Sequence, residues 1–307
     1  MGSSKSSGPV TNPNKLIFPE DGLTKADLVG HYERVGQAML PYLVSRPLTL
    51  ERFPNGIKSK GFMQKNASDY FPDFISRVVL PKVDGTVSYP AVQDLDGLVY
   101  LANQGTVTFH IPSFRTEHVD RPDRVVFDLD PPEGAIELVR RAARELRAIL
   151  EGQGLRPLLM ASGSKGYHLV MPVEPVLDFG RVSPWAQGVA AVAIDAAPEV
   201  FTDEFLVRNR GGKVFLDWMR NHWGATTVAP YSLRPRKGAP VAAPLDWSEL
   251  ELRAPDSIRL LDFAGRQQSD PWQDSEIQDL QHSVEAIEAM VASGAVTLRP
   301  FDRFGRG

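Results

Sequence analysis

A short apolar run that ends in two aspartates constrains this chain more than any other feature: Val125-Val126-Phe127-Asp128-Leu129-Asp130-Pro131-Pro132. In a strand, alternate side chains point to the same side, so Asp128 and Asp130 face one way. Two ionised carboxylates this close repel each other and are costly among apolar groups unless a divalent cation supplies positive charge. Oxygen-only ligation favours Mg²⁺ or Mn²⁺. Taken alone, the pair is equally consistent with a strand-end turn stopped by Pro131-Pro132.

Composition sets the class of protein and the ligands that a metal can use. The chain has 307 residues, of which 42% are hydrophobic and 23% charged, an ordinary globular balance with enough apolar residues for a sizeable core. No run of about 18 apolar residues predicts a membrane span, and no hydrophobic leader begins the chain, so we expect a cytoplasmic protein without membrane contact. Because cysteine is absent, any metal must use carboxylate, imidazole or carbonyl ligands.

The charge is distributed unevenly along the chain. The formal net charge of −4 argues against a polyanion-binding protein. However, residues 208–237 carry seven basic side chains against one acid, a balance that suits binding to phosphates. Residues 240–288, with eleven acids against three arginines, mask this basic segment in the total. For either segment, a solvated charged surface is the alternative interpretation.

Hydrophobic periodicity predicts a helix followed by short strands in the first part of the chain. Thr24-Lys25-Ala26-Asp27 has the spacing of a capping box, and apolar residues recur at helical spacing after it, which predicts a first helix near 25–43. From 46 to 110, turn residues such as Asp96-Gly97 separate short apolar runs. We interpret these runs as antiparallel strands, which include Thr86–Tyr89, Leu98–Leu101 and Thr106–Ile111.

The rest of the chain alternates helices and strands. The predicted elements are a helix from Ile136 to Leu150, strands at Leu158–Met160 and Tyr167–Val173, a helix near 183–197, a strand at Lys213–Asp217 and a helix near 274–292. The last helix is expected to turn five apolar side chains inward, those of Ile277, Leu280, Val284, Ile287 and Val291. Because no linker is evident, we expect a flexible segment at 1–13 followed by a single α/β unit of two sublayers from 14 to 300.

A third carboxylate, Asp217, ends its strand as Asp128 and Asp130 end theirs. If the fold brings the three together, they form an oxygen cage for two cations. Sites with two cations about 4 Å apart serve in-line displacement at phosphorus, and nucleotidyl transfer fits this pattern. Taken alone, Asp217 is more consistent with a strand-end cap beside a core Trp218.

A glycine-rich turn and two arginines add phosphate-binding chemistry. Ser162-Gly163-Ser164-Lys165-Gly166-Tyr167-His168 can present backbone N–H groups and an ammonium to a phosphate chain. The turn lacks the spacing of a P-loop, so a simple hairpin is the alternative. His110 lies on a strand and by itself favours a structural role. Arg210 and Arg234 flank Asp217 and suit triphosphate oxygens, because guanidinium forks bind them bidentately.

Four segments occur in an order that resembles one family. They are Phe127-Asp128-Leu129-Asp130-Pro131, Ser162–His168, Val214–Trp218 and Ala229-Pro230-Tyr231-Ser232-Leu233-Arg234. Together they resemble the polymerase domain of bacterial DNA ligase D, in the archaeo-eukaryotic primase superfamily, and the likeness runs from about Lys15 to Glu249. The resemblance implies an α+β fold of mainly antiparallel sheets flanked by helices, with two sublayers around a central active-site cleft. It also implies that residues 14–112 bind DNA and a 5′-phosphate, whereas residues 113–300 carry catalysis.

The resemblance implies roles for single residues as well. Two Mn²⁺ or Mg²⁺ ions would be held by Asp128, Asp130 and Asp217. The incoming nucleotide would be bound by His110, Ser162, Lys165, Gly166, His168, Arg210 and Arg234. DNA would be bound by Lys15, Lys25, Arg52, Phe62 and Lys65. The first three of these would grip a downstream 5′-phosphate and Phe62 would stack on template bases, whereas the alternative is a helix start and a buried Phe62.

The implied activity is that of a primase-polymerase, a nucleotidyltransferase that extends a primer 3′-hydroxyl, often with ribonucleotides. The implied partners are gapped or broken DNA with a 5′-phosphate, nucleoside triphosphates, a separate DNA ligase and a Ku-like end-binding protein. We expect a monomer without a ligase or nuclease domain, which serves end joining, excision-repair gap filling or priming.

Three departures from the family pattern bear on DNA recognition. Met63 replaces the second aromatic of a Phe-Phe pair, and Glu51 replaces a basic residue before Arg52. The connection from His110 to Asp128 is short. End bridging or phosphate recognition is therefore expected to differ from that of the family.

Two other functions stay open from the sequence. Haloacid-dehalogenase-like phosphohydrolases also begin their site with an apolar strand and Asp-x-Asp, although Pro131-Pro132 here replaces their usual continuation. A non-catalytic nucleic-acid-binding module would account only for the basic segment.

Overall fold

The computed structural model describes residues 8–263 and 270–299. The helices in these ranges are α1 (Lys25–Leu43), α2 (Leu95–Asn103), α3 (Ile136–Gly152), α4 (Phe179–Ala196), α5 (Leu260–Phe263) and α6 (Gln281–Ala292). The strands are β1 (Leu16–Phe18), β2 (Leu23–Thr24), β3 (Thr49–Arg52), β4 (Phe62–Gln64), β5 (Ser76–Lys82), β6 (Gly85–Ala91), β7 (Thr106–Pro112), β8 (Arg124–Asp130), β9 (Leu158–Ala161), β10 (Tyr167–Pro172), β11 (Phe201–Thr202), β12 (Val214–Asp217), β13 (Thr226–Val228) and β14 (Ala243–Leu245). Of the expected flexible segment at 1–13, residues 1–7 lie outside the described residues, as do residues 264–269 and 300 of the expected domain.

Two sheets carry most of the strands. One has six strands in the order β11-β12-β8-β10-β9-β14, and the other has four in the order β13-β7-β3-β4. Neighbouring strands in these sheets are antiparallel, except for β11 and β12, which run parallel. The pairs β1-β2 and β5-β6 form separate two-stranded ladders. Helices combined with mainly antiparallel sheets confirm the expected α+β class.

The first helix lies where the periodicity predicts it. The Thr24 hydroxyl accepts a hydrogen bond from the Asp27 N–H, and the Asp27 carboxylate accepts one from the Thr24 N–H, so the capping box is complete. The buried face of α1 carries the predicted apolar side chains, those of Leu28, Tyr32, Val35, Met39 and Leu43. Neither α1 nor any other helix in the described ranges is long and apolar enough to cross a membrane.

The expected strand at Leu98–Leu101 is wrong, because these residues lie in α2. The Asp94 carboxylate caps this helix by accepting the N–H of Gly97. The Asp96-Gly97 pair, which we interpreted as a turn, therefore belongs to the first helical turn. Periodicity cannot separate a short buried helix from a short buried strand, and the side chains of Leu98 and Leu101 are fully buried.

Two later helices begin elsewhere than predicted. The last helix begins at Gln281 instead of near 274, and Ile277, expected to point inward, is 67% exposed. The chain before this helix is extended because the backbone of Gln278 is hydrogen-bonded to the segment at the end of β10. The helix expected near 183–197 begins at Phe179, where the Asp178 carboxylate caps it. In both cases a side-chain cap or a tertiary contact overrides the apolar spacing.

Strand β8 has one face for the core and one for the site. Phe127 and Leu129 are fully buried, and the Phe127 ring lies 6.0 Å from the ring of Trp185 on α4. Because side chains alternate along a strand, Asp128 and Asp130 point to the opposite face. There, side chains of β7 and β13 from the four-stranded sheet also line a cleft. The core on one face thus fixes which way the carboxylates point.

A buried histidine ties α1 to the loop that follows β13. His31 is fully buried, and its Nε2 donates to the carbonyl oxygen of Tyr231 at 2.9 Å. Since a carbonyl only accepts, this nitrogen carries a proton in the neutral ring. Burial lowers the pKa of His31 from 6.5 to about 4.

Acid should therefore destabilise the fold through His31. Between pH 6.5 and 4 the unfolded chain binds a proton at this ring and the folded chain does not. The contribution of the neutral His31 to the free energy of unfolding is therefore complete above pH 6.5 and is lost as the pH falls towards 4. From pH 7.5 to 5, we expect the free energy of unfolding to fall by about 2 kcal/mol more in the wild type than in His31→Gln. Urea unfolding at both pH values measures this, and an equal fall in the two proteins would contradict it.

Candidate active site

The register of the six-stranded sheet aligns three chemically active side chains. Asp128 of β8 pairs directly with Asp217 of β12 on one side and with His168 of β10 on the other. Directly opposed side chains in antiparallel strands lie on the same face, about 5 Å apart. Asp130 lies one step further along the same face of β8, opposite Phe215. We call Asp128, Asp130 and Asp217 the carboxylate row.

Basic groups compensate part of the charge of this row. The Nε2 of His168 lies 3.3 Å from the Oδ1 of Asp128. The Nε of Arg220 lies 2.9 Å from the Oδ2 of Asp217 and 3.6 Å from the Oδ2 of Asp128, so one guanidinium bridges the two opposed carboxylates. Burial opposes ionisation of Asp128, but His168 and Arg220 outweigh it and lower the pKa of that carboxyl. Burial, with the charge of Asp128, raises the pKa of Asp217 to about 6, so its charge is the less well compensated.

Asp130 has an arginine of its own. The Nη1 of Arg210 lies 2.7 Å from the Oδ2 of Asp130, and the guanidinium sits over the ring of Phe215, 4.1 Å from its centroid. Two further N–H groups of Arg210 donate to the carbonyl oxygens of Glu204 and Phe205. The side chain of Asp130 is 43% exposed. The structure thus places Arg210, an expected nucleotide ligand, against a carboxylate.

The carboxylate row supplies the oxygen donors that Mg²⁺ and Mn²⁺ prefer. Within residues 8–263 and 270–299, no three histidine, aspartate or glutamate side chains are gathered closely enough to hold a metal ion. Arg220 and Arg210 instead supply the positive charge. The donor chemistry fits a divalent cation. In this conformation such a cation would have to displace the guanidinium groups of Arg220 and Arg210 from the carboxylates.

A cleft of about 480 Å³ opens over the carboxylate row, within the usual size range of small-molecule sites. All three carboxylates line it. The expected nucleotide ligands line it too, namely His110, Ser162, Lys165, Gly166, His168, Arg210 and Arg234. Residues that are far apart in the sequence therefore share one cleft.

The Ser162–Gly166 turn reaches this cleft through its side chains. Backbone N–H groups of the turn already donate to protein acceptors, namely those of Ser162, Gly163 and Ser164. Gly166 packs so closely on β8 that an added Cβ would lie 1.7 Å from the carbonyl oxygen of Leu129. Packing therefore requires glycine at 166. The ammonium of Lys165 is the charged group that the turn can offer to an anion, and it lies 3.0 Å from the Glu133 carboxylate.

His110 and Arg234 line the cleft from other elements. The Nε2 of His110 on β7 lies 3.8 Å from the Oε2 of Glu51, so the residue that departs from the family pattern is a partner of the histidine. Burial lowers the pKa of His110, which favours the neutral ring. The Nε of Arg234 is buried and has no hydrogen-bond partner in the described part of the chain. Arg234 can therefore bind an anion without first breaking a hydrogen bond at that nitrogen.

The three expected 5′-phosphate ligands lie near one another but differ in access. Burial lowers the pKa of Lys25, and the charges of Lys15 and Arg52 lower it further. Lys15 is exposed and donates to the side chain of Asn55, whereas Lys25 is buried and donates to Thr11. Of the three, Lys15 is the most open to a phosphate.

Arg52 and the aromatic beside it have different surroundings. Arg52 is 6% exposed and donates to the carbonyl of Gln104 and to the side chains of Gln64 and Tyr70. Its guanidinium lies 5.4 Å from the centroid of the Phe62 ring. Phe62 is 46% exposed, so the alternative of a buried Phe62 is wrong. Lys65, the other expected DNA ligand, is exposed.

Sequence reasoning assigned no role to Arg220 or Asn221, which organise the site. Arg220 counted only as one of several basic residues, although its position three residues after Asp217 is a usable signal. The side chain of Asn221 accepts the N–H of Val126 and donates to the carbonyl of Val126, both at 2.8 Å. Pairing of β12 with β8 ends at Asp217 and Asp128, so this amide continues the ladder where the strand has stopped. No periodic pattern signals such a contact.

Comparison with known families agrees with this geometry. The sequence model of the LigD primase-polymerase domain matches residues 24–272. This chain belongs to the LigD primase-polymerase family. LigD primase-polymerases are metal-dependent nucleotidyltransferases of the archaeo-eukaryotic primase superfamily. Membership decides against the haloacid-dehalogenase-like and non-catalytic alternatives.

Individual relatives match the same part of the chain. This chain is 38% identical over 244 residues to the multifunctional non-homologous end joining protein LigD of Mycolicibacterium smegmatis. The matched region covers 78% of this chain and 32% of that protein. It is 36% identical over 243 residues to the bifunctional non-homologous end joining protein LigD of Bacillus subtilis, with coverage of 78% and 39%. The polymerase domain of Mycobacterium tuberculosis ligase D in complex with DNA superposes with a TM-score of 0.79 at 32% identity, over 91% of this chain and 98% of that one. The chain thus spans about a third of the length of these curated relatives.

Asn221→Ala should destabilise this LigD primase-polymerase. Two buried backbone groups of Val126 would lose their partners, so the free energy of unfolding should fall by about 2–4 kcal/mol in urea denaturation. Asn209→Ala, at an exposed position in a short 3₁₀ turn, is the control and should change stability little. A similar small effect for both variants would show that the Asn221 amide does not support β8.

Arg220→Gln should bind Mn²⁺ more tightly than the wild type, by about tenfold, because a guanidinium no longer competes for Asp128 and Asp217. Titration followed by electron paramagnetic resonance of free Mn²⁺, at pH 8, measures the affinity without turnover. Arg236→Gln removes an exposed arginine of the same basic segment and is the control. Unchanged or weaker Mn²⁺ binding by Arg220→Gln would contradict competition between arginine and cation.

Proposed function

We propose that this chain is a DNA repair polymerase that adds nucleotides, preferentially ribonucleotides, to a primer 3′-hydroxyl at gaps or broken DNA ends. The observation that carries the proposal is the carboxylate row, which faces a cleft lined by phosphate-binding side chains in a member of the LigD primase-polymerase family. Negative charges on directly opposed residues are costly to bury and contribute nothing to packing of the core. They suit a reaction between polyanions.

Asp128, Asp130 and Asp217 would hold two divalent cations, Mg²⁺ or Mn²⁺. When bound, these ions supply positive charge that lowers the pKa of the primer hydroxyl and neutralises the pyrophosphate that leaves. The protein's part is to keep the three carboxylates on one face at fixed spacing. His168 supports this by orienting Asp128 through its contact at 3.3 Å.

The incoming triphosphate would be bound by the cationic side of the cleft. Arg234, with its unpartnered Nε, and the ammonium of Lys165 would contact phosphate oxygens. Ser162 and the neutral ring of His110, which line the same cleft, would donate to the sugar or the phosphates. Gly166 would contribute by letting the turn pack closely on β8. Arg210 would leave the Asp130 carboxylate and bind the phosphates of the nucleotide instead. Positioning of this kind accounts for much of the rate in a bimolecular displacement.

The template and the downstream strand would lie along the amino-terminal part of the chain. The exposed ring of Phe62 offers a flat surface for stacking on a base, which is independent of sequence. Lys15 and Lys65 are exposed and suit backbone phosphates, whereas Lys25 and Arg52 would add positive charge from beneath. The M. tuberculosis polymerase domain, in complex with DNA, supports DNA as the partner.

The relatives, which are named for non-homologous end joining, support a role in the repair of double-strand breaks. A separate DNA ligase and a Ku-like end-binding protein as partners, and a cytoplasmic location, are further parts of the proposal. Gap filling in excision repair and priming use the same chemistry at the 3′-hydroxyl, and a monomer suffices for all three.

A gap-filling assay tests the proposal. A primer with a short gap should be extended in the presence of Mn²⁺, faster with ribonucleotides than with deoxyribonucleotides and faster with a downstream 5′-phosphate than with a 5′-hydroxyl. Asp217→Asn and Asp128→Asn should each slow extension by about a hundredfold or more, because charge at the reacting phosphate is lost. Asp195→Asn, an exposed aspartate at the end of α4, is the matched control. Extension by Asp217→Asn at the rate of the control would refute the assignment.

A further inference from the structure

A second and larger cavity lies at the other end of β8. Its volume is about 650 Å³, which suits a small organic molecule. Arg124, the first residue of β8, lines it and points to the same side of the strand as Asp128, four residues later. Val126, which lies between Arg124 and Asp128 on this face, packs with Val170 and Trp272, and the cavity shares no lining residue with the cleft over the carboxylate row. It is therefore not part of the cleft described above.

Arg124 is an unusual residue for such a wall. It is 5% exposed, and none of its three guanidinium nitrogens has a hydrogen-bond partner among the described residues. Arginine is rarely buried without a paired acid, because a buried charge without a partner is strongly unfavourable. Burial, with the neighbouring Arg46, lowers the pKa of Arg124 to about 9, which leaves it protonated at neutral pH. The side chain therefore keeps a charge that the surrounding protein does not satisfy.

The acids around the cavity are already engaged elsewhere. The Asp123 carboxylate accepts two hydrogen bonds from Arg46 and one from Arg115. The Asp270 carboxylate accepts the hydroxyl of Tyr42 and the backbone N–H of Trp272. Neither carboxylate is hydrogen-bonded to Arg124.

The rest of the cavity wall is mostly apolar. Its side chains include those of Pro41, Leu158, Val170, Val173 and Ile277. An apolar wall with one unsatisfied guanidinium complements an apolar molecule that carries one negative charge. Two features favour a carboxylate over a phosphate. A guanidinium fork matches the planar carboxylate. The other two arginines that line the cavity, Arg46 and Arg115, are already bound to Asp123, so a phosphate dianion would bring a second charge next to Asp123 and Asp270 without a free guanidinium to meet it.

We infer that this cavity binds a small organic monocarboxylate with an alkyl or aryl body, whose carboxylate pairs with Arg124 while the body covers the apolar wall. In the free protein the guanidinium nitrogens of Arg124 are buried behind the cavity wall, and the carboxylate of the bound ligand would draw them towards the cavity. This site does not depend on the polymerase reaction, and its test needs no turnover.

Binding of octanoate and 4-phenylbutyrate to the full chain, measured by calorimetric titration and by the shift in melting temperature, tests the inference. Both should bind and raise the melting temperature. 1-Octanol and octylammonium, which keep the body but lack the negative charge, should bind about ten- to hundredfold more weakly. Octyl phosphate should bind more weakly than octanoate. Octanoate that binds no better than octanol, or does not bind, would overturn the inference.

Two variants assign the binding to this cavity. Arg124→Met keeps a long side chain but removes the charge, so the free protein should melt at the same or a higher temperature and octanoate should bind about ten- to hundredfold more weakly. Ile277→Asp places a negative charge at an exposed position of the wall and should weaken octanoate more than octanol. Arg144→Met, at an exposed position of α3, is the control and should bind octanoate as the wild type does. If Arg124→Met binds octanoate as tightly as the wild type does, Arg124 does not hold the carboxylate and the inference is overturned. It is also overturned if Arg124→Met melts at a much lower temperature and the wild type does not bind octanoate, because Arg124 then has a purely structural role.

Discussion

Like charge gathered across β8 and β12 is the constraint on which the rest of the site depends. Asp128 and Asp217 are directly opposed, and burial raises the cost of ionising both. His168 and Arg220 offset this cost because each follows from the sheet: one lies on the next strand, and the other on the turn that ends β12. A slip of one residue would turn the carboxylates into the helix-covered core. The register that stabilises the core is therefore the same register that positions the charge.

The sequence was sufficient for elements whose signals are local and complete. The helix at 25–43 has both a cap and an apolar face, and the strands on either side of the glycine turn at 162–166 have both apolar runs and a turn. It was insufficient where one apolar run suits two structures, as at Leu98–Leu101. It also failed at Ile277, where the spacing is helical but backbone hydrogen bonds to a neighbouring segment keep the chain extended. Tertiary contacts of that kind leave no periodic trace.

The site divides in the same way. Residue types at strand ends and in a glycine turn pointed to one cleft, and the structure brings those side chains together, including His110 from the other sheet. What the sequence could not give is what each group does before substrate arrives. Arg210 is bound to Asp130, and Gly166 is required by packing against β8. Asn221 was missed because a side chain that replaces a strand has no sequence pattern of its own.

Strand β8 carries charge of opposite sign towards its two ends, and distance explains why these charges do not pair with each other. Arg124 and Asp128 are four residues apart on one face, about 13 Å along the strand. At that separation and an effective dielectric constant of about 20, their attraction is about 1 kcal/mol, far below what burial of a lone charge costs. The apolar group around Val126 keeps polar partners from filling the gap. Each end must therefore find its counter-charge separately: the acidic end in arginines or cations, and the basic end in an anion from outside the chain.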